Sequence, residues 1–228
     1  MLKKYVNLLL AGSMIFVAAS CSQGGQQEAT EEETTGAEME TTAAETDFAN
    51  GTYAINEGQA VEWVGKKVTG QHNGTIEVEG GQFMVENGNI TGGSFQIDLN
   101  TIKALDLKDD PESQAKLEGH LKSNDFFSVE TSPMATFEIT NIAEGGEGDA
   151  THTVTGNLTI KNITNEISFP ATVSSENGSV TVSADTQLDR TRWDMMFHSG
   201  LEEWGDKAIY DEFEISFDLT ASRQSDAS

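Results

Sequence analysis

The chain has 228 residues, 38 of them acidic against 13 basic, for a formal net charge of −25. Nucleic acid and anionic lipid surfaces repel such a body, so no nucleic acid is expected among its partners. Its one cysteine, Cys21, rules out a disulfide within the chain, and stability has to come from a packed core.

Residues 1–20, "MLKKYVNLLLAGSMIFVAAS", begin with Lys3 and Lys4 and continue into an apolar run from Leu8 to Ala19. That is the length and charge order of a secretory signal peptide, too short for a comfortable membrane span. Ala18, Ala19 and Ser20 directly before Cys21 resemble a bacterial lipobox. The resemblance implies cleavage before Cys21, lipid on its sulfur, and a membrane-anchored protein of the cell envelope, on the periplasmic side or the cell surface. Residues 21–47 would then be the lipidated cysteine and a tether. The stretch after Cys21 has no aromatic residue, and between Glu28 and Asp47 it carries eight acids and no Lys or Arg. It lacks the apolar surface to offset ordering, so disorder is expected there.

From Tyr53 the hydrophobic period is two. Ile76 and Val78 alternate with Glu77 and Glu79, Phe83 flanks Met84 with Val85, and Phe95, Ile97 and Leu99 alternate with Gln96 and Asp98. The pattern returns at Phe137 and Ile139, Leu158 and Ile160, Ile167 to Ala171, Val180 to Ala184, and Phe213 to Leu219. Antiparallel strands with one wet and one dry face read this way. Gly80-Gly81, Asn87-Gly88, Gly145-Gly146, Asn162 to Asn165 and Asn177-Gly178 supply turn chemistry between them. Eight to ten strands suit a barrel or a sandwich.

One segment breaks the rhythm. Asp110 before Pro111 is a helix start, Leu117 and Leu121 share a face, and Pro111 to Lys122 is expected to be helical. Just beyond it stand two adjacent aromatics, Phe126 and Phe127, where a turn would be expected. Either they plug one end of the core against the helix, or one of the rings lines an interior space.

The blocks "HLKSNDFFSVETSPMATFEITNI" (120–142), "VTGNLTIKNITNEISFPATV" (154–173) and "LDRTRWD" (188–194), with "WVGKKVTGQHNGTI" before them, resemble the YceI-like family over Tyr53 to Ala221. Asn157 and Asn162 stand where that family has Asp and Gly, and Trp193-Asp194 departs from its pattern after Asp-Arg. The resemblance implies an all-β fold, a closed antiparallel, lipocalin-like barrel of about eight strands with one short α-helix, over residues 48–222, with 223–228 as a tail. It also implies an apolar ligand in the interior, a polyisoprenoid or isoprenoid quinone, held for sequestration or transport without a cofactor. The residues expected to meet it, at the interior or rim, are Phe95, Ile97, Phe126, Phe127, Phe137, Ile139, Phe169, Arg190 and Trp193. A barrel of this size is just wide enough for side chains or for one slender ligand. Each fully buried isoprene unit would gain about 3–4 kcal/mol gross.

Chemistry finds less support. The four histidines, His72, His120, His152 and His198, are far apart without metal-ligand spacing, and "DDPES" lacks the ligand pattern of a calcium loop. There is no GxSxG elbow, and Asp109-Asp110 and Glu202-Glu203 read as solvated turns, so neither metal nor catalysis is expected. Arg190 offers either a grip on a ligand's oxygen at the rim or a surface pair with Asp189, as Arg192 does with Asp194. The rival reading is a protein- or glycan-binding β-module with a filled core. Small inward residues such as Gly156, Ala171 and Ala184 would favour a tunnel.

Overall fold

Three tight turns set the register of the molecule. Asn87-Gly88, Lys161-Asn162 and Asn177-Gly178 all have positive φ at both positions. That is the backbone of two-residue hairpins whose twist matches the strands they join. The computed structural model describes residues 48–224; the expected signal peptide, Cys21 and the tether lie outside the described residues.

Ten strands follow in order: β1 (Gly51–Ile55), β2 (Ala60–Lys67), β3 (Gly70–Glu86), β4 (Asn89–Asp98), β5 (Lys103–Ala104), β6 (Met134–Glu144), β7 (His152–Ile160), β8 (Ile163–Glu176), β9 (Ser179–Asp189) and β10 (Ile209–Arg223). Helix α1 (Pro111–Lys122) lies between β5 and β6. β1 and β2 both lie between β3 and β10, end to end, and so make one stave. At the break between them the Gln59 amide substitutes for backbone, donating to Thr220 O at 2.7 Å and accepting from Thr220 N at 2.6 Å. The staves then run β3, β4, β6, β7, β8, β9 and β10, and the β9–β10 ladder closes the ring. The result is a closed eight-stave antiparallel barrel, with β5 as a two-residue strap paired to β3. Closure removes the free edges that a flat sheet of this length would expose.

Gly80-Gly81 is not a turn. β3 runs through it as one strand, and the register against β4 slips between Val78 and Gly80. A Cβ at Gly81 would meet Ser94 O at 2.5 Å and Phe95 Cδ1 at 2.7 Å, so the glycine pair lets β3 bend close over β4 as a bulge. Leu99 likewise ends outside β4, buried at the start of a short 3-10 turn whose Asp98 cap accepts from Asn100 N.

Two clusters fill the inside. The larger takes in Ile76, Leu158, Phe169 and Trp193. The smaller, with Phe48, Tyr53, Phe83, Val85, Val173, Val180 and Ala221, packs the end where β3 turns into β4 and β8 into β9. There Tyr53 and Phe83 stack at 5.3 Å with their planes nearly parallel. α1 sits toward the other end. Asp110 caps it by accepting from Ser113 N at 3.2 Å, and Leu117 and Leu121 pack on the core. Glu118 and Gln114 clamp the β5 strap through Ala104 N and Ala104 O, each at 3.0 Å.

Gly156, weighed as a small inward residue that would favour a tunnel, leaves no room of its own. The Phe137 ring occupies that room, its Cζ 2.4 Å from where a Cβ would stand. Ala171 and Ala184 are buried in the larger cluster and are not among the residues lining the interior space. Gly156→Ala is therefore expected to push Phe137 inward and destabilise the barrel by about 1–3 kcal/mol. A denaturant melt against the unmodified chain measures it; an unchanged midpoint would mean Phe137 moves freely.

Candidate functional site: the barrel cavity

The inward side chains do not meet in the middle. They enclose a cavity of about 250 Å³. An apolar void of roughly 150 Å³ already takes up benzene, and ligand pockets begin near 300 Å³, so this one suits a slender occupant. Its wall is hydrocarbon almost throughout. Phe95, Phe137, Phe169 and Phe217, from β4, β6, β8 and β10, form an arc of rings with successive centroids 6.5, 5.7 and 6.0 Å apart. Ile97 and Ile139 lie on the same wall. Alternation along each strand puts these side chains inside and Gln96, Glu138 and Ser168 outside.

Both rings of the pair after α1 line the cavity and belong to the main core. Phe127 N donates to Leu121 O at 3.1 Å and Val129 N to Lys122 O at 2.9 Å, which folds the chain back under the helix end, with Ser128 at φ 51°. Phe126 meets His120 edge-on at 5.0 Å and Phe197 at 5.8 Å, while His120 Nε2 bonds Asp125 Oδ2 at 3.0 Å. Plugging and lining are thus not exclusive here: the pair seals α1 to the barrel and forms cavity wall.

Lys66, Lys67, His72 and Tyr210 line the cavity where β2 turns into β3 and β10 begins. Val68, Trp204 and Tyr210, near this end, are among the exposed large apolar side chains. Lys66 pairs with Glu214. His72 Nδ1 lies 2.8 Å from Asp106 Oδ2, and Asp106 Oδ1 accepts from Asn73 N at 3.1 Å. Burial pushes the Asp106 carboxyl up, but the His72 hydrogen bond, the Asn73 N–H and the His72 charge together hold it below the ordinary 3.8. A carboxyl lowered on folding contributes stability above its unfolded value and loses it as pH falls through the folded one. Asn73 N–H should therefore keep its exchange protection down to pH 3.8 and lose it only below; loss well above that would break the assignment.

Arg190 lines the cavity as expected, but not as half of a surface pair. The residue is 4 % exposed, in the short turn after β9. Its Nε donates to Tyr210 O at 3.1 Å, Nη1 to Met195 O, and Nη2 to Ile209 O at 3.0 Å and Asp211 Oδ1 at 3.1 Å. It is not a surface partner of Asp189, which caps Thr191 instead, and where it meets the cavity its fork is already engaged by the protein. Burial lowers its pKa, with Asp211 and Asp189 opposing. Four of the five guanidinium N–H donors are spent within the protein, fixing the chain between β9 and β10. Arg192 donates to Glu166 O at 2.7 Å and does not pair with Asp194. Trp193 is fully buried, gives its Nε1–H to Leu158 O at 3.1 Å, and does not line the cavity.

Sequence reasoning passed over Trp63. It lines the cavity from β2, alternating inward with Val61 and Gly65, and is 7 % exposed. Its Nε1 is the one buried side-chain N or O atom among the described residues with no hydrogen-bond partner. An unpaired buried donor costs about 1–3 kcal/mol. The alternation Val61-Glu62-Trp63-Val64 points the residue inward; the missing partner is a matter of geometry alone.

The fold and its enclosed apolar cavity define a lipocalin-like β-barrel. The chain belongs to the YceI-like domain family, whose model matches residues 29–221. A UPF0312 protein of Pseudomonas aeruginosa is 30% identical over 91 residues, 40% of this chain and 43% of that protein, and one of Shewanella denitrificans is 28% identical over 91 residues, 40% and 44%. The match thus spans less than half the length of these curated relatives. Among solved structures, BcnA of Burkholderia cenocepacia superposes with a TM-score of 0.57 at 23% identity, over 72% of this chain and 96% of that one. A polyisoprenoid binding domain from Saccharophagus degradans, implicated in plant cell wall breakdown, gives 0.57 at 12% identity, over 77% and 100%. At those identities the likeness is one of fold.

Proposed function

We propose that this protein binds an apolar chain of isoprenoid type inside its barrel and holds or carries it, without catalysis. The observation that carries the reading is the cavity itself, a closed barrel lined by rings and branched aliphatics rather than filled by them. The polyisoprenoid binding of the Saccharophagus degradans domain supports the same ligand class here. The wall holds no carboxylate, serine or cysteine, and its few polar side chains stand mostly at one end. A filled β-module binding through its outer face has no need of such a space.

The Cys21 motif supports an envelope location with the barrel anchored by lipid and held off the membrane by residues 22–47. The exposed apolar side chains near the Lys66–Tyr210 end would give a hydrocarbon chain a threshold less costly than water.

Native mass spectrometry with lipid extraction on the full chain carrying Cys21→Ser, made in a bacterial periplasm, tests the ligand. A stoichiometric adduct of isoprenoid mass is the expected result. No adduct, with no uptake of added polyprenol or ubiquinone, would overturn it.

A further inference from the structure

We infer that the Trp63 indole N–H is the polar anchor of the cavity, and that the chain held there carries a hydrogen-bond acceptor oxygen at its head. This rests on the reading of the cavity as a site for an apolar chain and adds to it which end of the ligand lies where.

The two buried indoles of the barrel make the contrast. Trp193, fully buried away from the cavity, donates to Leu158 O at 3.1 Å, so this fold satisfies an indole N–H where the protein alone must do so. Trp63, at the cavity wall, has no protein partner for its Nε1. Elsewhere the same wall uses Phe83, Phe95, Phe137, Phe169 and Phe217, which offer ring surface with nothing to satisfy. An indole among them is the poorer choice for a purely hydrocarbon occupant and the better one for an occupant with an oxygen.

The surroundings hold Trp63 in place. It stands opposite Gly74 on β3 and Ile215 on β10. A Cβ on Gly74 would fall 1.7 Å from Lys103 O and 2.9 Å from Trp63 Cζ2, so the strap β5 and the indole share the space that side chain would fill. Trp63 lies four residues before the end of β2, and Lys66, Lys67 and His72 line the cavity just beyond it. In the other direction the wall is apolar as far as Phe83 and Val173. A head oxygen at Trp63 therefore places the hydrocarbon tail toward the packed end. Because a site with a buried donor rejects an analogue that leaves the donor unpaired, Trp63 would select oxygenated prenyl chains over hydrocarbons.

Farnesol and farnesene share a skeleton and differ in the hydroxyl, and both are offered to the Cys21→Ser chain and to the same chain with Trp63→Phe. The expected result is roughly tenfold tighter binding of farnesol than of farnesene by the first, and loss of that preference in the second through weaker binding of farnesol alone. In the chain that retains Trp63, its indole proton resonance, identified by its proximity to Gly74, should move downfield with farnesol and not with farnesene. That readout holds even if Trp63→Phe folds poorly. Equal loss of both ligands, or an indole resonance indifferent to farnesol, overturns the inference and leaves the cavity reading standing. Uptake of neither probe by the chain with Trp63 intact overturns both.

Discussion

Ile139→Trp is expected to reduce uptake of a prenyl chain about a hundredfold while leaving the barrel folded. Ile139 is half-buried on β6, lines the cavity, and has glycines as both its cross-strand partners, Gly93 on β4 and Gly156 on β7. The Phe137 ring already fills the space over Gly156 and Phe83 that over Gly93, so a larger ring has only the cavity to enter. Displacing one isoprene unit forfeits about 4 kcal/mol gross, several hundredfold at 1.4 kcal/mol per tenfold, and recovered chain freedom returns part of it. The cost to folding should stay within about 3 kcal/mol, as for other overpacked interiors. Ligand titration followed by fluorescence, with far-UV circular dichroism as the check on the fold, reads both. Undiminished uptake in a folded variant would mean the chain binds elsewhere.

Arg190→Met should be the most damaging single change outside the cavity's centre. It leaves the carbonyls of Met195, Ile209 and Tyr210 without their donor and Asp211 without its partner. Removing one side of such a buried, charge-assisted set costs about 3–5 kcal/mol. For a domain of this size that lowers the melting temperature by roughly 10 °C. Arg190→Lys should recover little, since one ammonium cannot reproduce a planar fork that reaches four acceptors. A calorimetric melt decides; a loss of only a degree or two would show these carbonyls to be satisfied by water.

The contrast between those two sites describes what the amino-acid order makes legible. Phe95, Ile97, Phe137, Ile139 and Phe169 reach the cavity wall because strand alternation is a local rule, and a period of two assigns each to the inside before any partner is known. The helix from Pro111 to Lys122 and the turns at Asn87 and Asn177 are equally local, fixed by a cap, a proline and residues that tolerate positive φ. Arg190 is different. Its surroundings come from β9, the following turn and the start of β10, so an Asp-Arg dipeptide that suggests a surface pair becomes a buried anchor only once those segments meet. Gly80-Gly81 fails for a related reason: two glycines suggest a reversal, whereas the constraint is the approach of Ser94 and Phe95 from the neighbouring stave. Gly156 looked like empty space because Phe137, nineteen residues earlier, takes it across the β6–β7 ladder.

The Tyr53–Phe83 stack and its buried neighbours make the cavity blind at one end. A chain bound as proposed would then share one doorway with its successor, and no competitor could press it out from behind. Exchange would be set by spontaneous departure, so raising the competitor's concentration should leave the dissociation rate constant unchanged. A tunnel open at both ends would show that rate climbing with competitor. Stopped-flow displacement with excess unlabelled prenol separates a flask from a pipe.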